Sequence, residues 1–96
     1  MKVLETGHRY GLANMDNPSI IQELSFINML PDGTRIDGTT NEEVMTMLID
    51  RMEYLNSKFP CYDNEITIIG LKLALKAQFH RTEDRIKRGV EGKHLA

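Results

Sequence analysis

The chain has no tryptophan, one cysteine and three prolines in 96 residues, and each scarcity closes off a class of protein. Cys61 alone forms no intrachain disulfide, and no second cysteine exists to build a Cys-pair zinc site. The histidines, His8, His80 and His94, lack the spacing that aims two imidazoles at one metal from a helix face. No apolar run approaches the ~20 residues that span a bilayer, and the first residues lack the apolar core of a signal peptide. Missing too are the G-x-G-x-x-G and Walker phosphate loops and the G-x-S-x-G elbow. The expectation is a soluble protein of a reducing cytoplasm, with no cofactor and no metal. No base–nucleophile pair assembles from these residues, so an enzyme is disfavoured.

What is present is charge, unevenly placed. Residues 1–71 carry five Lys/Arg against eleven Asp/Glu, whereas residues 72–96 carry seven against three. A net acidic chain with a short basic end lacks the long footprint that duplex DNA requires. A small anion needs only a few such groups. Arg81 and Arg85 stand one helical turn apart near the end of a long helical pattern. Two guanidiniums on one face repel modestly unless an anion lies between them, and their planar donor forks suit phosphate or carboxylate. The same pair also reads as a solvated basic helix end complementing the macrodipole.

Ninety-six residues make one domain at most, with a modest core. The first 39 residues read as a strand-rich segment. Gly7 to Asn14 suits a short extended run, and Met15-Asp-Asn-Pro-Ser19 is a cluster of turn residues. Ile20 to Met29 reads as one half-buried strand, with Ile20, Leu24 and Phe26 on one pleat face. Pro31-Asp-Gly33 signals a turn, and Thr34 to Asp37 has room for one more short strand or an extended link.

From residue 40 the period changes to that of helices. Thr40-Asn-Glu-Glu43 fits a capping box, and apolar residues at 44, 48, 52 and 55 give an amphipathic helix to about Ser57. Lys58-Phe-Pro60 breaks it. A second helix starts between Cys61 and Asn64 and runs to about Arg88, where Gly89 is the stop signal. At 1.5 Å per residue this helix is about 40 Å long, so the first covers little more than half of it. Ile66 to Leu75 is apolar nearly all round. The expected fold is therefore α+β, with short antiparallel strands followed by a two-helix antiparallel hairpin over residues 40–96 whose unmatched length drives oligomerisation. Cys61 reads as a small buried apolar residue rather than a nucleophile at a helix N-terminus.

Several blocks carry a resemblance to a known family: Gly38-Thr-Thr-Asn-Glu-Glu-Val44, Leu48-Ile-Asp-Arg-Met52, Phe59-Pro-Cys61, Asn64, His80-Arg-Thr-Glu-Asp-Arg85 and Arg88-Gly-Val-Glu-Gly92. Over residues 38–94 the chain resembles the helical hairpin of the bacteriophage Thoeris anti-defence sponges, a domain shared with the phage anti-CBASS cyclic-nucleotide sponges. The preceding segment, ending in Leu24-Ser-Phe-Ile27, is similar to the strand-forming portion of the Thoeris type.

The resemblance implies a protein that is not an enzyme. Members capture cyclic ADP-ribose isomers made by bacterial TIR-domain defence proteins and hold them intact, in the cytoplasm of the infected host. Some are hexamers built from dimers and also hold cyclic di- or trinucleotides at separate sites. Carried onto this chain, the ligand residues are Tyr54, Asn64, Arg81 and Arg85. Tyr54 stands where Phe is usual, and Lys93 stands where the closing motif usually has Thr. Tyr54 is then a stacking plane for the base, Arg81 and Arg85 a clamp on the pyrophosphate, and Asn64 a donor and acceptor for a base edge or ribose. Arg88 and His94 are either a second phosphate site or part of a solvated tail.

Asn64 and Arg81 are 17 residues apart on one helix, about 26 Å by the rise per residue. A compact ligand that meets both requires a second, antiparallel protomer, so the expected partner is another copy in a dimer or hexamer. The remaining alternative is an oligomeric interaction module that contacts a protein through its basic helix end.

Overall fold

A computed structural model describes all 96 residues, and the architecture is α+β, with five short strands preceding two helices. The chain forms two compact units, Met1–Thr40 and Asn41–Ala96. In the first, β1 (Lys2–Glu5), β2 (Arg9–Ala13) and β3 (Ile21–Ser25) make an antiparallel sheet in that order. Gly7, at φ +80, turns the chain between β1 and β2. Gly11 faces Glu23 across β2 and β3, where a Cβ would sit 2.8 Å from the tip of the Ile21 side chain, which would have to shift to admit it. Tyr10 lies opposite Leu24 and meets Phe26 edge to face at 5.9 Å between centroids. On the other face Arg9 pairs with Glu23, which raises the Arg9 pKa through hydrogen bonding and charge.

The single strand expected from Ile20 to Met29 is interrupted. β3 ends at Ser25, and a separate pair, β4 (Asn28–Met29) with β5 (Arg35–Ile36), begins after Ile27. The break has a backbone cause. Ile27 N–H donates to the Thr39 carbonyl, Thr39 N–H donates to the Ser25 carbonyl, and Gly38 packs so tightly that a Cβ would lie 2.5 Å from the Phe26 backbone. The returning chain thus takes the ladder positions that a continuous strand would use. The Pro31–Gly33 turn forms as expected, with Gly33 at φ +88 and Thr34 N–H donating to Asp32 Oδ1 at 2.8 Å. That bond holds the Asp32 carboxyl below its usual pKa. β1 was not anticipated: Lys2-Val-Leu-Glu5 is too short to show a period.

The second unit is the helical hairpin, α1 (Asn41–Lys58) and α2 (Tyr62–Lys87). α1 begins directly after Thr40 with Glu42 and Glu43 in its first turn, where carboxylates favour the positive end of the dipole. Two cross-links show that the helices run antiparallel and set their register. Thr82 Oγ1 donates to Glu42 Oε1 at 3.3 Å, and Lys72 Nζ pairs with Glu53 Oε1 at 3.0 Å. Val44, Met45, Ile49, Met52 and Leu55 on α1 are buried or half-buried, as are Ile68, Leu71, Ala74 and Leu75 on α2. Spacings of three and four carry the α2 file onward through Gln78 and Thr82 to Arg85. Directly opposite that file, Tyr62, Ile66, Ile69 and Leu73 point outward, with Ile69 61% and Leu73 69% exposed. No helix is long and apolar enough to cross a membrane.

The expectation for Cys61 is overturned. It is exposed and occupies the N-cap of α2, where its Sγ accepts from Asn64 N–H at 3.4 Å. Sulfur here takes the place of the hydroxyl or carboxylate that usually satisfies a first-turn donor.

Candidate functional site

Tyr54, Asn64, Arg81 and Arg85 lie at different levels of the hairpin. With residue 53 level with residue 72, Tyr54 stands near residue 71 of α2. Asn64 is then seven residues toward the loop, about 10 Å, and Arg81 ten residues toward the open end, about 15 Å. One chain does not gather these groups around a ligand of cyclic-dinucleotide size.

Tyr54 is 58% exposed on α1, and Lys58 holds its ammonium 5.6 Å from the ring centroid. That contact spans one helical turn and marks a face able to attract positive charge or a flat π system. Asn64 serves the hairpin loop: its Nδ2 donates to the Phe59 carbonyl at 3.3 Å. Beside it, Cys61 N–H donates to Asn56 Oδ1 at 3.1 Å. Together these bonds shape the Phe59-Pro-Cys61 turn. Arg81 is exposed on α2 and has neither a hydrogen bond nor an ion pair.

Arg85 differs sharply from Arg81, and the expectation that both sit on an exposed helix end is corrected. It is the most buried charged residue, only 6% exposed. Residue 42 is level with 82, so Arg85 lies close to the level where α1 begins. The C-terminal segment covers it instead. α2 stops at Arg88, and Gly89 at φ +73 turns the chain back. Gly89 N–H donates to Ile86 and Val90 N–H to Arg85, the paired bonds of a Schellman stop. A second turn closes when Lys93 N–H donates to the Val90 carbonyl, with Gly92 at φ +78.

These two turns converge the tail on one guanidinium. Arg85 Nε donates to Glu91 Oε2 at 3.2 Å, and its Nη2 donates to the carbonyls of Val90 at 2.9 Å and Lys93 at 3.0 Å. Nη1 donates to the carbonyl of Leu95. Arg88 is engaged as well, through Asp84 Oδ2 at 2.9 Å and the Ala96 carbonyl at 2.9 Å. His94 is exposed. The tail is thus an ordered wrap around two arginines and not a frayed end. The sequence held a signal for this: Arg85 continues the inward file, and two glycines with an acid between them follow it.

No group of three or more His, Cys, Asp or Glu side chains is placed to hold a metal ion.

No family model matches the chain. Among curated proteins, it is 42% identical over 59 residues to Thoeris anti-defense 1 of Bacillus phage SBSphiJ7, an alignment covering 60% of this chain and 42% of that protein. That likeness bears out the family resemblance read from the motifs. The chain spans less than half the length of the curated relative it matches.

Proposed function

We propose that this relative of the Thoeris anti-defence proteins acts for a phage inside the infected bacterium, binding a cyclic ADP-ribose isomer from TIR-domain immunity and holding it uncleaved. The observation that carries the reading is an exposed guanidinium without any partner, Arg81, on a chain with an outward-facing ring, Tyr54, and that kinship. Arg81 supplies a donor fork for the pyrophosphate and Tyr54 a platform for the base. Asn64 retains its side-chain carbonyl oxygen for a ribose hydroxyl or base edge after its amide has been spent on the loop. Arg85 reaches the same phosphate only where the tail yields it. Sequestration is favoured over turnover because no base–nucleophile pair or metal-binding cluster accompanies these groups.

The proposed pocket is shared between two copies. The axial separations of Asn64, Tyr54 and Arg81 call for an antiparallel second protomer, and the outward stripe of Tyr62, Ile66, Ile69 and Leu73 offers the surface. Burying each such side chain contributes roughly 1.5–3 kcal/mol relative to leaving it exposed. Dimers of this kind are the unit from which a hexamer is built. Cyclic di- or trinucleotides of CBASS systems are the second proposed ligand class, at a separate site. Arg88 and His94 are its proposed phosphate contacts, although Arg88 must first leave Asp84 and Ala96.

Calorimetry with a cyclic ADP-ribose isomer, on protein whose mass is set by sedimentation, tests the reading. The expected result is one ligand per chain in a dimer or larger even assembly. Tyr54→Phe is expected to be nearly silent, and Tyr54→Ala to cost on the order of 1–3 kcal/mol of affinity if the ring is a platform. A folded monomer that binds at full affinity contradicts the shared pocket, and a silent Tyr54→Ala removes the ring from the site.

A further inference from the structure

The tail around Arg85 presents phosphate-like chemistry to the residue. Three backbone carbonyl oxygens and one carboxylate oxygen, from Val90, Lys93, Leu95 and Glu91, surround the guanidinium. Such a ring of acceptors satisfies an arginine in the way that the oxygens of a pyrophosphate do. Building on the nucleotide-sponge reading, the geometry points to residues 89–96 as a displaceable plug: the C-terminal segment occupies the Arg85 anion seat in the free chain, and an anionic ligand binds there by exchanging with it.

Three features make the segment exchangeable. First, it is tied down mainly by side chains of α2, since its own ordering beyond the helix stop rests on two glycine turns, the Lys93-to-Val90 bond and a 3.3 Å bond from Gly92 N–H to Glu91 Oε1. Second, three of its four acceptors on Arg85 are neutral carbonyls, and a charged phosphate oxygen makes the stronger bond with a guanidinium. Third, the fourth acceptor, Glu91, is partly exposed, at 38%, so its carboxylate regains water on release. A segment that remained in place would instead set the Glu91 charge against an incoming phosphate. The plug also explains why a buried arginine sits one turn from a free one. Arg81 makes the first contact with the anion, and Arg85 joins after the tail departs.

The test uses two probes, inorganic pyrophosphate and a cyclic ADP-ribose isomer, on the full chain, a chain ending at Arg88, and full-length Glu91→Gln. A chain ending at Arg88 is expected to bind pyrophosphate at least tenfold tighter than the full chain, and to lose that gain when Arg85→Ala is added. Glu91→Gln is expected to raise affinity about threefold by removing the competing carboxylate from a charge-assisted bond. In the full chain, saturation with either probe is expected to speed hydrogen exchange at the Val90 and Lys93 amides. Slower exchange there would show a lid that closes over the ligand and would overturn the plug. Unchanged pyrophosphate affinity in a shortened chain with intact helicity overturns it as well. Should the shortened chain misfold, Glu91→Gln and the exchange measurement decide. Uptake of the cyclic ADP-ribose isomer with no change in exchange leaves the sponge standing and removes the plug. Pyrophosphate-driven release without uptake of that isomer does the reverse.

Discussion

Arg85→Ala is expected to lower the stability of the ligand-free protein by about 1.5–3 kcal/mol, the net contribution of hydrogen bonds to a charged group. For a chain of this size that is a fall in melting temperature of order 10 °C, read at fixed protein concentration because association shifts the transition. The guanidinium is the one group to which Val90, Lys93 and Leu95 all bind through their carbonyls, and Glu91 through its carboxylate. Without it the segment after Arg88 is expected to become mobile, while α1 and α2 keep their packing through Ile49, Leu71 and Leu75. The loss stays below that of a fully buried broken ion pair because the released carbonyls and Glu91 return to water. Arg85→Lys is expected to recover little, since one ammonium cannot span four acceptors held in different directions. An unchanged melting temperature together with an unaltered tail would contradict the anchoring role.

Arg81→Ala is expected to produce the opposite signature. Arg81 is exposed and unpaired, so the melting temperature should not move. Its loss is expected to cost roughly 1.5–3 kcal/mol of binding, a weakening of the cyclic ADP-ribose isomer by tenfold or more. Arg81→Lys is expected to be nearly as damaging, because a point charge does not reproduce a two-pronged donor. Calorimetry and thermal melts of the two alanine variants together separate the roles: Arg81 affects binding alone, whereas Arg85 affects tail order and binding together. Full affinity in Arg81→Ala would move the anion site elsewhere and return this residue to a solvated helix end.

The helices were legible because their signals are long and redundant. The capping box at Thr40, the Phe59-Pro-Cys61 break and the Gly89 stop each agree with the apolar period between them, and α1 and α2 end within a residue or so of those marks. The strands were legible only where a turn framed them. Lys2–Glu5 is too short for a period, and the break after Ser25 depends on Gly38 and Thr39 returning to claim its ladder positions. At the site, residue type and spacing suggested two equivalent arginines. Their difference lies in which one falls under the tail: residues at i and i+4 lie only about 40° apart around the helix, so a spacing rule applied to the pair alone does not separate the covered arginine from the exposed one. Continuing the inward file from Ile68 through Leu75 to Thr82 would have placed Arg85 inside. Cys61 was misread because thiols are usually buried, whereas here a first-turn amide needed a cap.

The central claim is capture without conversion, and one measurement addresses it most directly. The protein is incubated with a cyclic ADP-ribose isomer, separated from free ligand by gel filtration, denatured by heat, and the released material is identified by mass spectrometry and chromatography against the starting isomer. The expected result is recovery of the intact isomer, close to one per chain. Release of an opened or hydrolysed product would make the protein an enzyme, and protein that emerges from the column without ligand would leave an interaction module in place of a sponge.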